Sequence, residues 1–441
     1  MSEITYPAEL PIAPLAKPPS ATVTVPGSKS ITNRALVLAA LSNRSSPFQI
    51  FGALRSQDTE VMINCLRKLR LRVAEYWSGD EWSGGFPLVT VDGDEEWPFI
   101  PANTADLFVA NSGTTVRFLA AMVCLGTGKY RFDGVPRMRE RPIQDLLDAL
   151  TQLGVDAKSE SGNGCPPIII RSTGLKGGRV HIRADVSSQF LSALLLVTPF
   201  AEGDTEIEID GPVVSEPYIE MTLGILRALE LRVDSPAPNR YVVPGRQLIR
   251  WCGYRVEPDA SSASYFWAAA AITGGRVAVA GLTRNSLQGD VRFVDVLAEM
   301  GCRVEECDAG ITVHGGKLRG VDVDMNDISD TVMTLGAVAC FADGPTTIRN
   351  VGHIRHKETD RIAALATELR KLGAGVEERA DGLTITPRPL KGCAVDTYND
   401  HRMAMSLALV GLRVPGVVIR NPGCVAKTYP GFWQDLERLR G

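Results

Sequence analysis

Several things are scarce in this chain, and each scarcity closes off a class of function. The nine cysteines are scattered, with no CxxC pair and an odd total, so neither a disulfide framework nor a cysteine-rich zinc site is expected, and a reducing cytoplasm is the expected setting. Only five histidines occur; His353 and His356 stand three apart, but their loop offers no convincing set of further ligands, so no metal is expected. No apolar run approaches the ~20 residues that a bilayer-spanning helix needs. A net charge of only −4 argues against an extended nucleic-acid face, which would need a surface rich in lysine and arginine. The opening MSEITYPAELPIAPLAKPPS lacks a basic region followed by an apolar core, and is expected to be an extended lead-in rather than a secretory signal.

Hydrophobic residues make up 44% of the 441 positions, enough to fill more than one core. Six apolar helical runs recur, each opening on a polar or charged cluster: SKSITNRALVLAAL from 28, SGTTVRFLAAMVCLG from 112, SSQFLSALLLVTPF from 187, SSASYFWAAAAITGG from 261, SDTVMTLGAVACFADG from 329 and DHRMAMSLALVGL from 400. Equivalent positions Ser30, Thr114, Ser188, Ser262, Asp330 and His401 are 68 to 84 residues apart, the regularity of a repeated folding unit. A helix apolar on nearly every face must be buried, while its first turn leaves N–H groups unpaired and carries about half a positive charge. A second set, including the runs from 58, 143, 218, 291 and 360, is amphipathic, and most members end in Leu-Gly or Met-Gly before a β-rich piece such as CRVEE or AGVEE. The expected class is α/β, with two domains of three units each: 28–256, and a discontinuous domain from 1–27 plus 257–441.

Basic residues gather at the motifs. PGSKSITNR joins turn-forming Pro26 and Gly27 to Ser28, Ser30, Lys29 and Arg34 at the start of a buried helix, the mix of N–H donors and positive charge that holds a phosphate or carboxylate. Taken alone it would equally be an ordinary serine cap. NSGTTVR repeats the design, with Gly113 allowing a ligand close to the backbone, and VSSQF repeats it with uncharged donors. DGVPRMRERP sets Arg137, Arg139 and Arg141 between two prolines, where guanidinium groups can grip planar anions; Arg139 is the most dispensable of the three. In KETDR, Lys357, Glu358 and Arg361 alternate in sign at a helix entry, and a glutamate near cations can exchange a proton with a bound substrate. NDHRMAM brings Arg402 to the last helix start, with His401 read as a structural hydrogen-bonder. Asp330 is either a cap or a base.

Together, PGSKS, NSGTT, PRMRERP, SSQFLSALL, SEPYI, DASSASYF, RNSLQGD, KETDR, NDHRMAM and AKTYP, spread from residue 26 to 430, resemble the enolpyruvyl transferase family. The resemblance implies two domains, each of three βαβαββ units, with the active site in the interdomain cleft and domain closure assembling it. It implies transfer of the enolpyruvyl group of phosphoenolpyruvate to the 5-hydroxyl of shikimate 3-phosphate, with release of phosphate, by a cytoplasmic monomer that uses no cofactor and binds no nucleic acid or membrane. By the same likeness Ser30, Arg34, Ser187, Ser188, Gln189, Ser215, Tyr218, Asp330 and Lys357 hold shikimate 3-phosphate. Lys29, Gly113, Arg137, Gln189, Arg361, Arg402 and Lys427 surround phosphoenolpyruvate, and Asn111 orders that pocket. Glu358 and Asp330, with Lys29, are the expected catalytic groups. His353 stands where relatives often carry Asn for a sugar contact, and Phe118 where many carry Pro. Gly113 leaves room for the inhibitor glyphosate, so sensitivity is expected. The branch acting on UDP-N-acetylglucosamine typically has a cysteine in the loop matching DGVPRMRERP, and this loop has none.

Overall fold

Side-chain caps set where most of the buried helices begin. A computed structural model describes residues 4–42, 46–78, 85–92 and 99–441. Among these are twelve α-helices: α1 (Lys29–Ala40), α2 (Gln57–Lys68), α3 (Gly113–Met122), α4 (Gln144–Gln152), α5 (Ser188–Val197), α6 (Pro217–Ala228), α7 (Ala260–Thr273), α8 (Phe293–Glu299), α9 (Val332–Ala339), α10 (Arg361–Lys371), α11 (His401–Gly411) and α12 (Phe432–Glu437). Ser28, Ser112, Ser187, Asp259 and Asp400 each accept a backbone N–H in the first turn of α1, α3, α5, α7 and α11, a bond worth about 1 kcal/mol. Helix α9 differs: a 3₁₀ turn over Ser329–Thr331 leads into it and no side chain caps it, which leaves the Asp330 carboxylate for other partners.

The chain folds as two compact units, 27–256 and 1–26 with 257–441. In the 27–256 unit the buried helices α1, α3 and α5 pack on one another. Three four-stranded sheets lie outside them, and their pairing follows one pattern. Strand Thr104–Phe108 runs parallel to Thr127–Asp133, which pairs antiparallel with Ile168–Thr173, and that strand pairs antiparallel with Asp156–Ser159. A parallel pair needs a crossover helix and an antiparallel pair needs only a turn, so the buried helix fills the crossover and the amphipathic helix leads into the final hairpin.

In the other unit α7, α9 and α11 form the corresponding trio. Every residue of α11, and α7 from Ala260 to Ile272, is buried. Gly274 closes α7 with a left-handed backbone (φ 73°), a conformation with no steric cost for glycine.

Strand partnership departs from chain order. Ser20–Val23 immediately precedes α1, yet pairs with Arg276–Ala280; Gly253–Arg255 immediately precedes α7, yet pairs with Phe48–Phe51. The proline-rich lead-in is therefore more than an extended approach. Its Glu9–Ile12 strand also pairs antiparallel with Val417–Arg420 and completes a sheet that, among the described residues, has three strands.

Candidate active site

Helix starts gather the charged motifs within each unit. In the unit holding α7, α9 and α11, Asp330 is the hub. Its Oδ1 accepts from Lys357 Nζ at 2.6 Å and from Arg361 Nη1 at 3.0 Å, and its Oδ2 accepts from Arg402 Nη2 at 2.7 Å. Arg361, only 1% exposed, also donates to Glu358 Oε2 at 2.9 Å and, through Nε, to Asp400 Oδ2 at 2.8 Å. Lys427 Nζ, from the Pro422–Lys427 turn, stands 3.7 Å from Glu358 Oε1. Four cations and three carboxylates thus share one partly dry site.

Burial alone would push the Arg361 guanidinium down, but Asp400, Glu358 and Asp330 together hold it above its ordinary value. Lys357 is pulled the other way: burial lowers it, and the attraction of Asp330 only partly offsets that. Removing one member of such a cluster leaves a buried charge uncompensated, at about 3–5 kcal/mol.

His353 joins this cluster as a neutral ring. Burial and the Lys357 ammonium push it down to about 3. Above its unfolded value of about 6.5 both states are neutral and the full stability is present; as pH falls below that, the unfolded chain takes up a proton the folded one refuses. The expected result is that acidification from about pH 7.5 to about 5.5 costs wild type about 1 kcal/mol more than His353→Asn in urea unfolding. Equal losses in the two proteins would contradict a buried neutral ring.

Asp290 and Ser261 belong here too. The Ser261 hydroxyl bonds Asp290 and lies 3.3 Å from Arg402 Nη2, and burial together with the Asp330 charge pushes Asp290 up to about 6. Neither alters the local sequence pattern: Ser261 on α7 and Asp290 in the turn before α8 come to Arg402 only once α7 stacks beside α11.

In the 27–256 unit two groups of residues form. Around α1, Ser28 caps the helix and Lys29 Nζ stands 3.4 Å from Asp58 Oδ2. Arg34 turns inward: it donates to Thr222 Oγ1 at 2.7 Å, Ser192 Oγ at 3.2 Å, and the carbonyls of Tyr218 and Ser30 at 3.0 Å each. Burial pushes its guanidinium down from the usual arginine range to about 10, and its bonds tie α1 to α5 and α6 from beneath Ser30 and Tyr218. Ser215 holds a left-handed backbone (φ 52°), and its carbonyl accepts from Tyr218 N–H at 3.1 Å.

The second group surrounds Gly113. Arg141 Nη1 donates to the Asn111 carbonyl at 2.9 Å and to its side-chain oxygen at 3.3 Å. Arg117 Nη1 donates to Gln189 Oε1 at 2.8 Å, beside Ser187 and Ser188 at the start of α5. A Cβ placed on Gly113 would fall 2.3 Å from Arg141 Nη2 and 2.9 Å from Arg117 Nη1. Two guanidinium groups therefore converge over a bare backbone at a helix N-terminus, an arrangement of charge and geometry that can hold an anion. Arg137 stands differently. It pairs with Glu140 at 2.8 Å and is about a third exposed, while Arg139 pairs with Asp133. Alternation within PRMRERP carries no hint of which arginine reaches Gly113; the 3₁₀ turn over Pro136–Glu140 decides it. Phe118 is buried with the Arg34 guanidinium 5.1 Å from its ring centre.

Among the described residues, no group of three or more His, Cys, Asp or Glu could hold a metal ion, and no helix is long and apolar enough to cross a membrane.

The EPSP synthase (3-phosphoshikimate 1-carboxyvinyltransferase) family model matches residues 16–436. A 3-phosphoshikimate 1-carboxyvinyltransferase of Nostoc punctiforme is 48% identical over 432 residues, 97% of this chain and 99% of the relative. One from a Marinomonas strain is 44% identical over 425 residues, 96% and 97% of the two chains. An EPSP synthase structure from Acinetobacter baumannii superposes with a TM-score of 0.78 at 25% identity, covering 98% of both chains. With a family model spanning nearly its whole length and relatives this similar end to end, the chain belongs to the EPSP synthase family.

Proposed function

We propose that the protein transfers the enolpyruvyl group of phosphoenolpyruvate to the 5-hydroxyl of shikimate 3-phosphate, releasing phosphate, as a step of the shikimate pathway to aromatic amino acids. The observation that carries the chemical assignment is the carboxylate pair Asp330 and Glu358, both bonded to Arg361 and each facing further cations. In this reading Ser187, Ser188, Gln189, Ser215, Tyr218 and Lys357 hold shikimate 3-phosphate, with Arg34 bracing Ser30 and Tyr218 from below. Phosphoenolpyruvate is held by Lys29, Arg361, Arg402 and Lys427 together with the Gly113 group, where Arg141 and Arg117 take the place expected for Arg137.

The charges give the two carboxylates different tasks. Asp330, among Lys357, Arg361 and Arg402, is an ionised acceptor for the 5-hydroxyl proton. Glu358 shares Arg361 and Lys427 with the incoming substrate anion; once the substrate engages those cations, Glu358 is left to take up a proton and deliver it to the methylene carbon. The 5-oxygen bonds to the central carbon of phosphoenolpyruvate as that carbon's double bond is protonated, forming a tetrahedral intermediate. The bond to phosphate then breaks, and Glu358 recovers a proton from the new methyl group. Aimed cations stabilise the phosphate as it leaves. The protein acts as a monomer in the cytoplasm and needs no cofactor.

Running the reaction in deuterium oxide tests this route: deuterium is expected at the methylene carbon of the product, and product formed with none there would contradict protonation by Glu358. Gly113→Ala gives a second test. The added methyl displaces Arg141 and Arg117, and the loss of charged hydrogen bonds to one ligand is expected to raise KM for phosphoenolpyruvate about tenfold or more while that for shikimate 3-phosphate stays nearly constant. Glyphosate is expected to compete with phosphoenolpyruvate and to weaken in the same variant. A uniform change in both KM values would show that Gly113 serves the fold alone.

A further inference from the structure

Helix α10 carries Arg361 at its start and Glu368 seven residues on, a spacing that returns to the same helix face. Glu368 is 0% exposed and plays no part in the chemistry above, yet its hydrogen bonds reach out of α10 to the segment just before the last helix start. Its Oε1 accepts from the Tyr398 hydroxyl at 2.7 Å and its Oε2 accepts from the Asp396 backbone N–H at 3.1 Å. Lys371 Nζ bridges the same two segments, at 2.8 Å from Glu368 and 2.6 Å from Asp396.

The segment so held is strained. Tyr398 and Asn399 both have φ of 54°, in the left-handed region, which residues with a Cβ enter at a cost and keep only when their surroundings enforce it. Tyr398 is 41% exposed, so ring packing is not its main anchor. The Asn399 side-chain oxygen accepts from Asn421 Nδ2 at 3.2 Å. The next residue is Asp400, which binds Arg361 and caps α11 at Arg402 N–H, 2.9 Å away. One face of α10 therefore grips this turn twice, at Asp400 through Arg361 and at Asp396 and Tyr398 through Glu368.

We infer that Glu368, acting through the Tyr398 hydroxyl and the Asp396 amide, is a positioning residue that sets the approach of Arg402 to the phosphoenolpyruvate subsite. The inference rests on the functional reading above for the identity of that ligand. Left-handed backbone at two successive residues redirects the chain so that Asp400 and Arg402 face Arg361 and Asp330; without the clamp, the turn relaxes and α11 loses its defined start.

Tyr398→Phe tests this with the loss of one hydroxyl from an exposed side chain. Hydrogen exchange of the peptide spanning 396–403 is expected to accelerate about tenfold, and KM for phosphoenolpyruvate to rise about three- to tenfold, the loss expected for one ordinary hydrogen bond. Under the same conditions KM for shikimate 3-phosphate should stay within about twofold, since Arg402 is not among the residues that hold that substrate. An unchanged KM for phosphoenolpyruvate in an active enzyme overturns the inference whatever the exchange result, because a purely structural brace would speed exchange alone. If wild type shows no turnover with the two substrates, the functional reading falls instead, and exchange decides the clamp: unchanged protection at Asp400–Arg402 overturns it.

Discussion

Glu358→Gln is expected to slow phosphate release by about 10²–10⁴-fold with shikimate 3-phosphate binding nearly intact. Glutamine keeps the shape of the side chain and can still accept from Arg361 or Lys427, which lie 2.9 and 3.7 Å away in the native protein, so the cluster keeps its outline. What it cannot do is deliver a proton and take it back. The loss should therefore fall on kcat, the signature of an interaction made in the transition state. Single-turnover phosphate release, beside a titration of shikimate 3-phosphate binding, separates the two effects. A rate within about threefold of wild type with both substrates bound would remove Glu358 from the proton path.

Asp330→Asn should be comparably damaging for a different reason, and with an opposite sign in binding. The carboxylate receives Lys357, Arg361 and Arg402 at 2.6, 3.0 and 2.7 Å; the amide cannot neutralise them or accept the hydroxyl proton. Turnover is expected to fall by about 10²-fold or more. The three cations, left facing one another, lower folded stability by about 3–5 kcal/mol, yet they attract a substrate anion more strongly than before. Calorimetry should thus show phosphoenolpyruvate binding strengthened, or at least retained, in a protein that has lost activity and thermal stability. Near-normal turnover, or weakened anion binding with turnover intact, would remove the assigned base.

How much of this is legible in the sequence depends on the range of the interaction that decides each feature. Helix starts are local: Ser28, Ser112, Ser187 and Asp400 accept N–H groups two or three residues on, and a polar residue ahead of an apolar run announces them. Burial of the six helices follows from composition for the same reason. Pairing of Glu9–Ile12 with Val417–Arg420 joins residues some 400 positions apart, and nothing in a proline-rich opening encodes its partner. The arginines show the same divide. Three guanidinium groups in PRMRERP signal an anion site, but a 3₁₀ turn sends Arg141 to Gly113 and Asn111 while Arg137 pairs with Glu140. Arg34 reads as a ligand for its charge, yet it bonds to Thr222, Ser192, Ser30 and Tyr218, contacts that exist only once α1, α5 and α6 have packed. Asp330 escapes the capping role open to it because α9 is entered through a tight turn.

The proposed chemistry requires that two phosphorylated small molecules meet on these clustered cations and carboxylates and that neither reacts alone. The direct test is phosphate release followed continuously with purified protein, shikimate 3-phosphate and phosphoenolpyruvate, each substrate omitted in turn. Release only when both are present, one phosphate per enolpyruvyl ether formed, is the predicted result. Release from phosphoenolpyruvate alone, or none with both substrates at saturating concentration, would contradict it.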